Sequence, residues 1–236
     1  MLVPEGAMKG NVLVVDIGGT HVKLMMSARD KLKFDSGLDM TPGDFVQRFH
    51  ETGADLKFTA VSIGFPSVVR GGKIVKEPKH LSKGWLGFDF GRALKKPTRV
   101  INDAAMQALG SHVRGGMLFL GLGTGLGAAL VWNNNLMPLE LGDLPYRAHR
   151  KIEDWLGKDG LENLGEKAWR KEVIYCVKQL KLSFVADTVV LGGGNVKKMA
   201  RLPRGVKRGD NRNAFLGGCR LWETDRRTGQ LRWRIL

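Results

Sequence analysis

A chain of 236 residues with 43% hydrophobic content and 32 glycines is long enough to bury one large core or two small ones, and too apolar for a disordered segment. Its 38 Lys and Arg against 23 Asp and Glu give a formal charge of +15, which favours polyanionic partners (a phosphorylated substrate, a polyphosphate chain or nucleic acid) unless it is only a heavily solvated surface. No apolar run is long enough to cross a bilayer, and residues 1–11, MLVPEGAMKGN, lack the charged start and apolar centre of a signal peptide, so a cytoplasmic protein without a membrane partner is expected.

Residues 11–17 (NVLVVDI) form an apolar run bounded by polar residues and glycine, the pattern of a buried central strand. Gly18, Gly19 and Thr20 then lead into a second strand-like run at residues 22–26, which predicts a hairpin. Two glycines permit a sharp turn that brings N–H groups to an anion, and Thr20 adds a hydroxyl. Asp16, at the mouth of the turn, can hold a hydrated divalent cation on a phosphate. An ordinary hairpin would read the same way. Residues 31–36 extend the sheet as a third strand. Residues 41–51 open with Thr-Pro and space Phe45 and Phe49 four apart, predicting a short amphipathic helix capped by Thr41.

A buried strand is expected at 59–63, ended by a turn at 64–67 (GFPS). Residues 71–87 mix Gly, Lys, Pro and Trp without a period and read as a loop able to line a pocket, and 88–95 is weakly helical. Val100 and Ile101 then enter Asn102 and Asp103, ahead of a helix-compatible segment with Ala104, Ala105, Met106 and Leu109. Asn and Asp favour helix N-caps, because their side chains satisfy open N–H groups of the first turn. A carboxylate there lies at the end of a strand, where α/β sheets open clefts. Alone the pair is a cap; beside glycine-rich turns it becomes a catalytic candidate.

Residues 117–121 are strand-like, 121–127 read GLGTGLG, and 128–132 are apolar again. Gly123, Gly125 and Ala128 satisfy the dinucleotide pattern GxGxxA, but that fingerprint needs a helix directly after the glycines. Here the chain runs into Asn133, Asn134 and Asn135, so a second hairpin is predicted. No GxxxxGK[ST] occurs, which excludes a P-loop. Glu140 and Asp143 fall in a loop (LELGDL, 139–144), able either to accept hydrogen bonds from sugar hydroxyls or simply to cap and solvate. Helical spacing over 146–156 and 161–182 predicts core helices, with Trp169, Val173, Cys176, Val177 and Leu180 on one face. Residues 187–191 read as the final buried strand, ended by Gly192, Gly193, Gly194 and Asn195. Three glycines between strand and helix let a flat ligand lie against the backbone. A helix is expected at 214–222, and Thr228 and Gly229 turn back a basic tail: residues 196–236 hold 12 Lys or Arg against 3 Asp or Glu, +9 of the +15.

Cys176 and Cys219 are far apart, without the spacing of a zinc site, and both are expected reduced and packed. His21, His50, His80, His112 and His149 show no metal-ligand spacing, there is no GxSxG elbow, and none of the histidines is assigned to catalysis.

Five segments, DIGGT (16–20), INDAA (101–105), GLGTGLG (121–127), ELGD (140–143) and LGGGN (191–195), occur in an order that resembles the ROK family of sugar kinases. The stretch GFPSVVRGGKIVKEPKHLSKGW (64–85), with ELGDLPY (140–146), looks most like the polyphosphate- or ATP-dependent glucokinases of that family. The resemblance spans residues 12–218. It implies an α/β, two-lobed actin-like/hexokinase ATPase fold with ribonuclease H-like lobes and a cleft between them. The first lobe is expected over 1–110 and the second over 111–236, with the C-terminal helix packing back on the first. The implied activity is phosphoryl transfer from ATP and/or polyphosphate to a hexose, giving glucose 6-phosphate from glucose. Asp103 would be the general base, a carboxylate near its ordinary pKa and therefore ionised at neutral pH. Gly18, Gly19, Thr20, Lys23, Gly123, Thr124 and Gly125 would hold phosphates, Mg²⁺ would bridge them with Asp16 through water, and Gly193 and Gly194 would border the nucleotide base. Asn102, Glu140, Asp143 and Ser67 would contact the sugar. A homodimer is expected, with nucleic acid a lesser partner suited to the basic tail.

Four departures stand out. Asp143 occupies the position where the family has His, so it can accept hydroxyl hydrogen bonds but not act as an imidazole. Ser67 stands where Gly is common, the cysteine-rich zinc motif is missing, and no DNA-binding helices precede Val12. The alternative function is a non-catalytic sugar or nucleotide sensor with a polyanion-binding tail. Asp103 together with three glycine loops favours the enzyme, since a sensor needs no base.

Overall fold

The computed structural model describes residues 11–210 and 212–236, so the leader-peptide reading of the first residues lies almost entirely outside the described chain. The first sheet comprises β1 (Val12–Ile17), β2 (His21–Met25) and β3 (Lys31–Asp35), then β4 (Ala60–Phe65) and β7 (Thr98–Asn102), in the order β3-β2-β1-β4-β7. The first three form an antiparallel meander, while β4 and β7 run parallel to β1. Strand β1 is apolar throughout because both its faces are covered. Leu13, Val15 and Ile17 enter a cluster with Phe45, Phe65, Trp85 and Phe90, and Val14 enters a second one with Ala105, Met106 and Leu109. Period-2 alternation thus divides one strand between two cores.

Helix α1 (Pro42–Thr52) starts as the Thr-Pro signal predicts: the Thr41 side chain accepts from the Asp44 N–H, and the Asp44 carboxylate accepts from the Thr41 N–H in return. Between β4 and β7 lie a two-residue hairpin, β5 (Val69–Arg70) with β6 (Lys73–Ile74), an irregular loop, and α2 (Phe90–Leu94). The loop is not loose. Trp85 is fully buried and packs on Phe65 at 5.1 Å between ring centroids, and the Glu77 carboxylate accepts from the N–H groups of Gly84 and Trp85.

The second sheet orders β12-β11-β8-β9-β10-β13, from β8 (Met117–Leu122), β9 (Leu126–Trp132), β10 (Asn135–Leu139), β11 (Thr188–Gly192), β12 (Val206–Arg208) and β13 (Arg234–Ile235). Strands β8 and β9 are antiparallel across the GLGTGLG segment. A strand rather than a helix follows the glycines, which removes the nicotinamide alternative. Asn133 and Asn134 have φ of 49° and 59°, the pair of left-handed residues that a tight two-residue hairpin requires. Helices α4 (Ile152–Leu156) and α5 (Lys158–Ser183) cover this sheet, and the five residues expected on one face of α5 are all buried.

Helices α3 (Asp103–Ser111) and α6 (Asn213–Arg220) pack together between the sheets, and α6 also meets β1 and β4. Small residues permit this approach. A Cβ at Gly110 would collide with the Asn213 carbonyl, one at Gly217 with the Met106 carbonyl, and one at Gly127 would lie 2.7 Å from the Ala104 Cβ. Ser62, buried on β4, donates to the Gly218 carbonyl at 2.7 Å and accepts from Trp222 Nε1 at 2.9 Å.

Several elements differ from expectation. Gly64 and Phe65 belong to β4, so the turn begins only at Pro66. The helix expected over 146–156 is reduced to α4, because Ala148 and His149 adopt positive φ. Helix α5 is interrupted at Gly165, where φ is 72° and ψ 158°. The triple glycine leads into a short 3-10 turn, Gly194–Lys198, rather than a longer helix, and β12 and β13 follow what was read as the final strand. Both late strands are short, basic and at sheet edges, where the alternating apolar signal is absent. The tail does turn at Thr228 and Gly229, and Trp233 is buried beside His112 at 5.5 Å. Both cysteines are unpaired, Cys176 buried and Cys219 partly so. Among the described residues no helix is long and apolar enough to cross a membrane.

The α3–α6 contact makes a prediction opposite in sign to helix propensity. Replacing Gly by Ala inside a helix normally stabilises it by about 1 kcal/mol, but Gly217→Ala should destabilise the protein by about 1–3 kcal/mol through overpacking, read as a lower urea midpoint; a raised midpoint would contradict the close packing.

Candidate active site

Between the two sheets lies a cavity of about 290 Å³. Its walls come from separate segments: the β1–β2 turn (Gly18, Gly19), the loop after β4 (Ser67, Lys76, Lys79, His80), the β7–α3 junction (Asn102, Asp103), the β8–β9 turn (Gly123, Thr124, Gly125), then Glu140, Glu153 and Gly193.

Asp103 is the first residue of α3, directly after the cap Asn102. The Asn102 Oδ1 accepts from the Ala105 N–H at 3.1 Å, and its Nδ2 donates to the Ser67 carbonyl at 3.3 Å. One side chain therefore starts the helix and ties the β4 turn to it. Ser67 is anchored further by donating its hydroxyl to the Lys76 carbonyl at 2.7 Å. The Asp103 Oδ1 accepts from the Ala104 N–H at 2.8 Å, an interaction that favours the carboxylate. Burial opposes it and prevails, with the nearby Asp16 and Glu140 carboxylates adding to the effect, and the Asp103 pKa rises to about 7. The expectation of an ordinary carboxylate pKa is thereby corrected: the group keeps its proton to a higher pH than a free carboxylate. The error arose because sequence shows neither burial nor the second acid, Asp16, 87 positions away in the chain.

The three glycine turns are fixed by their own contacts. In the first, the Gly18 N–H donates to the His21 carbonyl at 3.0 Å, the Ser36 hydroxyl donates to the Gly18 carbonyl at 2.6 Å, and the Ser36 N–H to the Thr20 carbonyl at 2.9 Å. A Cβ at Gly19 would lie 2.9 Å from the His80 Cβ, so no side chain fits there. In the second, the Gly123 N–H donates to the Gly125 carbonyl at 3.2 Å, and a Cβ at Gly125 would lie 2.6 Å from Glu153 Oε2. In the third, Gly193 has φ of 83°, and a Cβ there would run into the Leu122 carbonyl. Asn195 joins the last two by donating its Nδ2 to the Gly123 carbonyl at 3.0 Å.

Five residues singled out in the sequence do not form the cavity wall: Asp16, Thr20, Lys23, Asp143 and Gly194. Asp16 is only 7% exposed and accepts from Lys23 Nζ at 2.8 Å through Oδ2. The Asp143 carboxylate is held by Lys151 at 2.6 Å, with Lys76 at 3.6 Å and Lys79 at 3.7 Å. The Lys151 hydrogen bond, with the other two lysines, holds the Asp143 pKa below the usual carboxylate range. Glu140 is shifted upward, by burial first and then by Asp143, although Lys76 and Lys79 oppose the change. Among the described residues no group of three or more His, Cys, Asp or Glu forms a metal cage. Sequence reasoning did not single out Lys76, Lys79, His80, Gln107 or Glu153 individually. The expectation that residues 71–87 line a pocket covered the first three, whereas Glu153 sits in a short helix with no distinguishing pattern.

The comparisons with known proteins agree with this architecture. The ROK family model matches residues 6–142. A curated relative, the polyphosphate glucokinase of Mycobacterium leprae (strain TN), is 23% identical over 218 residues, 79% of this chain and 64% of the relative; the chain therefore spans less than two thirds of that protein's length. The inorganic polyphosphate/ATP-glucomannokinase of Arthrobacter sp. strain KM superposes with a TM-score of 0.75 at 22% identity, covering 88% of this chain and 96% of that one. A ROK family glucokinase from Streptomyces griseus, solved with glucose and AMPPNP, gives 0.69 at 15% identity over 89% of this chain and 98% of that one. These neighbours share the two-lobed, actin-like ATPase fold with this protein. With the family match extending over more than half of its length, the chain belongs to the ROK family.

Proposed function

We propose that the protein is a hexose kinase, transferring a phosphoryl group from ATP, polyphosphate or both to glucose, with Asp103 as the general base. The observation that carries this reading is the Asp103 carboxylate sharing one cavity with three glycine turns; burial and the Asp16 carboxylate raise its pKa to about 7. A base works best when its pKa lies near the operating pH. As the sugar hydroxyl attacks the terminal phosphorus, its O–H bond breaks towards Asp103, a new O–P bond forms, and the bond from phosphorus to the donor's bridging oxygen breaks. The rest of the task is positioning and charge stabilisation. Asn102, Glu140 and Ser67 orient the sugar from the wall, and Asp143 acts at one remove through Lys76 and Lys79. The lobes are taken as residues 1–110 and 111–236.

The N–H groups of Gly18 and Gly123 are engaged within their turns, so contacts to the donor fall to neighbouring amides at Gly19, Thr124 and Gly125, with Thr20 and Lys23 at the outer edge of the first turn. Gly193 and Gly194 border the base when the donor is a nucleotide. Mg²⁺ fits as a companion of the donor: hydrated Mg²⁺ needs one or two carboxylates in addition to phosphates, and Asp16 is engaged by Lys23 through only one of its oxygens. When bound, it neutralises charge on the phosphate oxygens. For the donor, the +15 charge and the likeness to the Mycobacterium polyphosphate glucokinase and the Arthrobacter polyphosphate/ATP-glucomannokinase support polyphosphate.

Asp103→Asn should reduce hexose phosphorylation at least about 100-fold with unchanged circular dichroism; full turnover would reject the assignment. In the wild type, kcat/KM should fall as pH drops below about 7, the pKa of the free enzyme's base.

Stability supplies an activity-independent check. An acid whose folded pKa lies above its unfolded value of 3.8 contributes stability at low pH that is lost as pH rises to about 7. Asp103→Asn should therefore gain stability relative to wild type between pH 4 and pH 8, by at most about 4 kcal/mol; a constant difference across that range would contradict the raised pKa. With polyphosphate as donor, KM should rise more steeply with salt than with ATP, because more charges are screened; absence of any turnover with polyphosphate would leave ATP alone.

A further inference from the structure

The cavity has a cross-cleft contact, between Lys79 and Glu153, to which the proposed chemistry gives no role. Lys79 projects from the loop anchored by Trp85 and Glu77 in the first lobe, and its Nζ lies 2.5 Å from Glu153 Oε1 on α4 in the second lobe. The same ammonium lies 3.7 Å from Asp143 in the segment after β10. Both Lys79 and Glu153 belong to the cavity wall. Burial alone would lower the Lys79 pKa, and the Glu153 and Asp143 carboxylates more than offset it, so the ammonium is held. The other oxygen of Glu153 lies beside Gly125, 2.6 Å from the place a Cβ there would take. One carboxylate thus pairs with a lysine of the first lobe on one side and on the other occupies the space beside Gly125 that a side chain there would need.

We propose that Lys79 is a positioning residue that straps the two lobes across the mouth of the cleft: through Glu153 it sets the Gly123–Thr124–Gly125 turn, and through Asp143 it sets the segment carrying Glu140, so that closing the acceptor end and shaping the phosphate turn are one event. Two features favour a strap over an incidental surface pair. The Lys79 loop is anchored by a fully buried tryptophan and a doubly hydrogen-bonded carboxylate, so its backbone has little freedom to lose when the pair forms. Lys76 and Lys151 flank the same Asp143, giving a chain of alternating charges from one lobe to the other instead of a single bridge.

This inference rests on the hexose kinase reading, and its test has one arm that does not. In ligand-free protein, Lys79→Met should increase hydrogen–deuterium exchange at residues 75–88 and 121–127 together, and raising salt should have the same effect on the wild type but little on the variant. In turnover, Lys79→Met should raise the KM for both hexose and donor by about fivefold, the scale of a partly exposed ion pair, with a smaller change in kcat, and Lys79→Arg should restore most of the loss. Unchanged exchange in both segments would overturn the strap even if the protein proved to have no kinase activity. Exchange rising in 75–88 alone would also overturn it, because the contact would then be a local anchor without reach to the glycine turn. The paired rise in exchange at 75–88 and 121–127, with no phosphorylation of any hexose, would instead retain the strap and reject the kinase.

Discussion

Ionising one acid beside another inside a cleft is the constraint on which this structure depends. Asp103 sits at a helix N-terminus, where open N–H groups favour an anion, and the Ala104 N–H is taken up in this way. Burial and the Asp16 carboxylate work against it and win. The helix that carries the acid must therefore be held by interactions elsewhere. They are found along its length: Ala104, Ala105, Met106, Ala108 and Leu109 are buried, and Gly110 and Gly217 let α3 and α6 meet backbone to backbone. A helix of small residues, seated by many contacts, fixes the Asp103 carboxylate at the cavity wall.

The same economy of side chains appears in the turns around the acid. Gly19 is glycine because the His80 Cβ leaves no room, and Gly193 because its φ of 83° and the Leu122 carbonyl exclude a Cβ, whereas at Gly125 a Cβ would meet only the movable end of Glu153. The first and last positions are set by close approach and backbone conformation. The first and third turns lie in different sheets, so the cavity exists only when the helix pair holds the sheets in register.

Much of this was legible in the amino-acid order. Continuous apolar runs marked β1, β4 and β8, the Thr41-Pro42 pair marked the start of α1, and the Asn-rich turn marked the β9–β10 hairpin, because each rests on local chemistry. The strand after GLGTGLG distinguished this glycine cluster from a nicotinamide fingerprint. What depended on distant neighbours was not legible. The Asp103 pKa depends on Asp16 from another strand; the Asp143 carboxylate is drawn to three lysines brought together by folding; and Glu153 enters the cavity from a helix of only five residues. The break at Gly165 and the positive φ at Ala148 and His149 likewise fall in segments whose apolar spacing reads as helix.

The most direct measurement is a crystal structure of the protein with glucose and a non-hydrolysable donor. The expected result places one sugar hydroxyl within hydrogen-bond reach of the Asp103 carboxylate, about 2.6–3.2 Å, with the donor's terminal phosphate between the Gly18–Gly19 and Gly123–Gly125 backbones. A sugar bound elsewhere, or an Asp103 side chain turned away from the space between those turns, would contradict the assignment of this cavity as the active site.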